Sequence, residues 1–137
     1  MRTAAVCLGL SLALLTGCAE RRATVSGKVT YNGVVLAKPN GKIIFVSKSG
    51  VQVPVSIQSD GTYSAPDVVV GENRVVVYYA TDTKGVGKRL PKGENAPMPA
   101  DPFLTPQKYS SVDTSGLSVN VTDKTEYNPK LEGPPIP

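Results

Sequence analysis

The sequence predicts an all-β protein, an antiparallel β-sandwich of about seven strands, on three observations. Apolar residues recur at every second position in several short segments, the period of a half-buried strand. Turn signals built from Asn, Asp, Gly and Pro separate those segments about every ten residues. Between Thr24 and Pro137 no segment repeats apolar residues at helical spacing. The bulk composition agrees. The chain has 137 residues, 40% hydrophobic and 19% charged, which suits one globular domain rather than a disordered chain.

The strands are read in order. Val25, Gly27, Val29 and Tyr31 alternate with Ser26, Lys28 and Thr30, and Asn32-Gly33 then turns the chain into Val34-Val35-Leu36. Asn-Gly is the strongest short hairpin signal, because both residues tolerate positive φ. Pro39-Asn40-Gly41 makes the next turn, and Lys42 to Val46 is a strand apolar on both faces. After the Ser47–Gly50 turn, Val51, Val53, Val55 and Ile57 alternate with polar residues. Pro54 marks that segment as an edge strand, since it has no N–H for a further ladder. Asp60-Gly61 turns into a short strand, Thr62-Tyr63-Ser64. Gly71-Glu72-Asn73 is expected to turn into Arg74–Ala80, the most hydrophobic and therefore central strand. There Tyr78 and Tyr79 point to opposite faces. Leu117, Val119 and Val121 alternate in a later strand. Glu126 to Leu131 forms a last edge strand weakened by Pro129, and residues 132–137 are a Pro-rich tail.

The first residues read as an export signal. Arg2 is the only charge before Glu20, and Ala4 to Thr16 is almost wholly apolar. About 13 helical residues span about 20 Å, short of the roughly 30 Å hydrocarbon core. The segment ends Leu15-Thr16-Gly17-Cys18, which resembles the bacterial lipobox. That resemblance implies a signal peptide over 1–17, cleavage before Cys18, a diacylglycerol on its thiol and acylation of its new amino group. Two or three acyl chains hold a protein stably at a membrane, whereas one does so only marginally. Ala19, and not Asp, follows the cysteine. By the sorting rule of Gram-negative lipoproteins this favours the outer membrane. Residues 18–23 are then a short tether, with Arg21 and Arg22 a solvated basic pair beside the lipid. Cys7 leaves with the signal, so no disulfide is expected.

Within the body, four segments share a rhythm: Val25-Ser26-Gly27-Lys28-Val29-Thr30-Tyr31-Asn32-Gly33, Gly41–Val46, Ser59-Asp60-Gly61-Thr62-Tyr63-Ser64, and Asp67–Gly71 with Val75-Val76-Val77. They resemble the carboxypeptidase regulatory-like domain, a transthyretin-like β-sandwich. Thr105–Tyr109 followed by Thr114–Val121 resembles the short bacterial lipoproteins that carry this domain. The resemblance spans roughly Thr24 to Leu131. It implies a structural or interaction module and says almost nothing about activity.

Candidate chemistry is sparse. The sequence has no His, which excludes His-based triads, His-ligated metals and imidazole acid–base work. The Gly85-Val86-Gly87-Lys88 stretch lacks P-loop spacing. Asp113-Thr114-Ser115-Gly116 is a turn entering a strand and not half of a carboxylate dyad. Asp60-Gly61 lacks the partner carboxylates of a calcium loop. Asn120-Val121-Thr122 is a chance sequon inside a strand. No catalytic residue, cofactor or metal is expected.

Net charge falls from +4 to +3 with the leader removed, too weak for nucleic acid. The remaining candidate is the long Pro-rich loop over 81–115. Lys84, Lys88, Arg89 and Lys92 form a basic cluster there, suited to an envelope protein or an anionic glycan. Phe103, Leu104 and Tyr109 are placed to pin the loop to a sheet face, and Phe103 and Tyr109 join the basic residues as candidate partner-binding positions. Such a loop either covers a sheet edge or binds a partner. The expected function is that of a lipid-anchored, non-enzymatic envelope module. The alternative is a small carbohydrate- or metabolite-binding lipoprotein of a surface uptake or degradation system, against which stands the absence of Trp.

Overall fold

In the computed structural model, residues 19–81 and 103–136 are described. They form an all-β sandwich. The strands are β1 (Arg22–Lys28), β2 (Thr30–Tyr31), β3 (Val34–Val35), β4 (Gly41–Ser47), β5 (Gln52–Ile57), β6 (Thr62–Val69), β7 (Gly71–Tyr79), β8 (Leu117–Val121), β9 (Lys124–Glu126) and β10 (Lys130–Leu131). A single 3₁₀ turn, Gln107–Ser110, is the one helical element among the described residues. One layer has the order β5-β4-β7-β8. The other is built on β1 and β2, two halves of one run: β6-β1-β9 continues into β3-β2-β10.

The core lies between the layers and is filled as the period-two pattern requires. Val25, Val29 and Tyr31 come from one sheet, with Tyr63, Ala65 and Val68 from β6. They meet Ile43 and Phe45 of β4 and Val75, Val77 and Tyr79 of β7. The ring centroids of Phe45 and Tyr63 lie 6.1 Å apart across the interface, a favourable aromatic spacing. Along β4 burial alternates strictly, so Ile44 and Val46 lie on the outer, half-buried side.

Local chemistry sets the corners. Asn32 (φ 50°) and Gly33 (φ 82°) both take the left-handed conformation, giving the two-residue hairpin that pairs Tyr31 with Val34. The Asp60 carboxylate accepts the N–H and hydroxyl of Thr62 at 2.9 and 2.6 Å, closing the β5–β6 turn. Those bonds hold its carboxyl below the ordinary range. Pro54 lies on edge strand β5 opposite Ile44, as its missing N–H demands.

Several boundaries differ from the sequence reading. Ten strands are present among the described residues, because the runs expected over 25–31 and 126–131 are each split in two. The segment beginning at Thr62 does not stop at Ser64 but runs to Val69. It does so through a bulge in which Pro66 and Asp67 oppose the single residue Thr24, Asp67 adopting φ 61°. The turn expected over Gly71–Asn73 is tighter: β6 ends at Val69 and β7 begins at Gly71, with Gly71 at φ 111°. Buried Asn73 holds this crossover, its side-chain amide donating to the carbonyls of Val69 at 2.7 Å and Gly71 at 3.0 Å.

The sandwich is not wholly antiparallel. β9 pairs with β1, and β10 with β2, in parallel, with one register from Thr24–Lys124 to Tyr31–Leu131. Between the two short ladders the Asn128 side chain substitutes for the backbone, its Oδ1 accepting the Lys28 N–H at 2.7 Å. Pro129 is tolerated because only its carbonyl is used, by the Thr30 N–H at 3.0 Å.

The expected tether and tail are also partly structured. Strand pairing starts at Arg22, and the Arg21 carbonyl already accepts the Val70 N–H at 2.8 Å. At the other terminus, Asn32 and Gly133 exchange two hydrogen bonds of 2.9 and 3.1 Å. The Tyr31 hydroxyl donates to the Pro134 carbonyl at 2.6 Å, and Ile136 packs on the core.

Candidate functional site

Two ends of the sandwich concentrate the polar features. At the first, β1 and β7 begin and β4, β6 and β8 end. Arg21 forms an ion pair with Asp123, and the Arg22 guanidinium donates to the Asp67 carbonyl at 3.3 Å. The basic pair expected to be merely solvated is thus engaged with the body. Lys48 pairs with Glu72 at 2.8 Å, and Arg74 with Asp113 at 3.6 Å. The Lys48 ammonium holds the Glu72 carboxyl below the ordinary range.

Val46, Ser47, Lys48, Glu72, Arg74 and Val112 line a shallow cleft of about 340 Å³ between these pairs. Its charges alternate and are largely exposed, so each pair contributes little to stability. The cleft offers neither a buried charge nor a nucleophile beside a base. Among the described residues no three His, Cys, Asp or Glu side chains gather as a metal site.

At the opposite end lie the two attachment points of the segment that leaves β7. Ala80 forms an isolated bridge with Phe103. The Leu104 N–H donates to the Tyr79 carbonyl at 2.8 Å, and the Tyr79 N–H to the Thr105 hydroxyl at 3.3 Å. Phe103 meets Tyr78 edge to face at 5.7 Å, on the outer side of the sheet. Tyr78 and Tyr79 do face opposite ways, Tyr79 being wholly buried.

Tyr109 is not presented to a partner. Its ring belongs to the core, and its hydroxyl accepts the Glu132 N–H at 2.9 Å and donates to the Glu132 carbonyl at 3.3 Å. Of the residues proposed for partner binding, Phe103 and Tyr109 therefore fasten the returning chain. Leu104 and buried Thr105 join them. Cys18, Lys84, Lys88, Arg89 and Lys92 lie outside the described residues. Asp113 stands in the expected turn before β8, with Gly116 at φ 65°.

Sequence reasoning missed Asn73, Asn128 and Thr105. Each is an ordinary polar residue in its local context and gains its role from a distant carbonyl or amide. Among the described residues no helix is long and apolar enough to cross a membrane.

No protein-family model matches the chain, and no curated protein does. Two solved structures are similar in shape. One is a DUF3823 family protein from Bacteroides ovatus, with a TM-score of 0.47 and 17% identity, covering 81% of this chain and 44% of its own. The other is a DUF3823 family protein from Parabacteroides merdae, with a TM-score of 0.47 and 18% identity, covering 82% and 47%. This chain thus spans less than half the length of either.

Proposed function

We propose that this protein is a lipid-anchored envelope module of carboxypeptidase regulatory-like type, without catalytic activity, that holds an interaction segment away from the membrane. The observation that supports this reading is the polarity of the sandwich. Strand pairing begins three residues after Ala19 at one end, while Thr81 and Phe103 bracket the basic, Pro-rich stretch at the other. Gly71 to Tyr79 traverses that body, about 26 Å at about 3.3 Å per strand residue. A lipidated Cys18 would leave only Ala19 and Glu20 as free tether, since the Arg21 carbonyl is already hydrogen-bonded. Lys84, Lys88, Arg89 and Lys92 then belong to a segment rooted on the face remote from the bilayer.

The motifs shared with the carboxypeptidase regulatory-like domain support the module reading. Asn32-Gly33, Asp60-Gly61 and Val70-Gly71 all fall at tight turns with left-handed backbone. Three measurements test the proposal. Cys18→Ala should move the protein out of the membrane fraction; equal retention with the unaltered protein contradicts anchoring. Crosslinking in cells through Lys84, Lys88 and Lys92 should recover one dominant envelope partner, and hydrolase turnover by the purified protein contradicts the non-enzymatic reading.

A further inference from the structure

The free edges of the two sheets differ in one respect. β5 carries Pro54, which has no N–H to offer. β6 carries Pro66 and the left-handed bulge at Asp67. β9 is three residues long with charged Lys124 and Glu126, and β3 and β10 have two residues each. These are the ordinary devices that keep a sheet edge from recruiting another chain. β8, Leu117-Ser118-Val119-Asn120-Val121, has none of them: no charge, no Pro, no Gly and no bulge over five residues. Among the described residues it has a strand neighbour on one side only, β7.

Among the described residues no strand covers the other side of β8, and its backbone groups are ready to pair. Ala80 donates toward β4 through the Asn40 carbonyl, so alternation along β7 turns Gly71, Asn73 and Val75 toward β8. These residues face Val121, Val119 and Leu117, which leaves the N–H and C=O groups of Ser118 and Asn120 directed outward. Leu117 and Val119 pack against the core yet stay half-exposed at this border.

We infer that β8 is a self-association edge, which pairs antiparallel with β8 of a second copy about a two-fold axis at Val119. In that register Ser118 of each copy meets Asn120 of the other, and two such pairs exchange four backbone hydrogen bonds. Val119 meets Val119 of the second copy at a close, non-hydrogen-bonded position. The strand is self-complementary because it places no like charges opposite one another. It extends the four-stranded layer to eight strands and completes the cover over Leu117 and Val119. A five-residue ladder alone is smaller than the roughly 1,200 Å² of stable interfaces, so the dimer is weak and forms where the chains are concentrated.

The test uses the full chain with Cys7→Ala and Cys18→Ala, which removes both native thiols. Into it goes Val119→Cys, with Ser56→Cys on exposed β5 as control. Mild oxidation should give covalent dimer from Val119→Cys at no less than tenfold the yield of the control. Adding Ser118→Lys and Asn120→Lys, two exposed positions, should cut that yield at least tenfold by placing cations along the pairing edge, with the circular dichroism spectrum unchanged. In sedimentation, the chain with native β8 should show reversible dimer at high concentration, and the Lys double variant should not. Equal crosslinking at residues 119 and 56, or self-association indifferent to the two lysines, overturns the inference.

Discussion

Gly41 and Tyr79 face each other across the β4–β7 ladder, and the tyrosine ring closes over the glycine: a Cβ on Gly41 would fall 2.5 Å from Cε1 and 2.7 Å from Cζ. The ring occupies the volume a side chain would need, and its hydroxyl reaches the Leu36 carbonyl at 3.3 Å. A methyl group here must displace a buried ring. Gly41→Ala should therefore destabilise the protein by about 1–3 kcal/mol, the usual cost of overpacking a well-filled core. Urea unfolding checks it: the midpoint should fall with the slope unchanged.

Burial pushes the Tyr79 phenol up to about 12, and raises Tyr63 and Tyr127 for the same first reason. Above about pH 10 the unfolded chain loses tyrosine protons that the folded chain retains. The unfolded state then binds fewer protons, so stability must fall as pH rises. Between about pH 10 and 12 the limiting slope from Tyr79 is about 1.4 kcal/mol per pH unit. Urea unfolding at stepped alkaline pH should show this decline, and Tyr79→Phe should flatten it. A stability independent of pH up to 12 would contradict the burial of these phenols.

The last residues are fastened through Asn32, which binds Gly133 in both directions. Asn32→Ala removes both bonds and places Ala at a left-handed position. A loss of about 1–2 kcal/mol is expected from the backbone strain together with two exposed hydrogen bonds. Hydrogen exchange is the sharper readout, since the Gly133 amide should exchange much faster while the β4 and β7 amides stay protected.

The ion pairs lining the cleft should matter little to folding. Arg74→Ala and Glu72→Gln are each expected to shift the unfolding temperature by less than about 2 °C, because exposed pairs gain little over hydrated ions. Thermal unfolding at low and at high salt checks this. A shift well above that size would indicate that the Arg74–Asp113 and Lys48–Glu72 pairs act as a network.

What could be read from the sequence was local. Asn32-Gly33 announces its hairpin because positive φ is a property of those two residues, and Pro54 announces an edge because a missing N–H is missing everywhere. The opposite orientation of Tyr78 and Tyr79 follows from the strand period alone. What escaped was non-local. The parallel pairing of Thr24 with Lys124 depends on Asn128 reaching the Lys28 amide, a partner 100 residues away. Asn73 reads as a turn residue until the β6–β7 crossover puts two carbonyls around it. Tyr109 was expected to pin the loop to a sheet face or to meet a partner, and its hold on Glu132, 23 residues on, could not be read locally. The basic cluster from Lys84 to Lys92 and Cys18 remain legible as sequence alone.

The register that joins residues 24–31 to 124–131 also orders events in time. A chain emerging N-terminus first can form the β2–β3 hairpin and the β1–β6 ladder early, yet the other flank of β1 and β2 stays open until residues 124–131 arrive. Pairing across so many residues is entropically slow. Any nascent chain halted before Lys124 would display that open flank to its surroundings, so the arrival of residues 124–131, more than any single hairpin, decides when this body becomes protected.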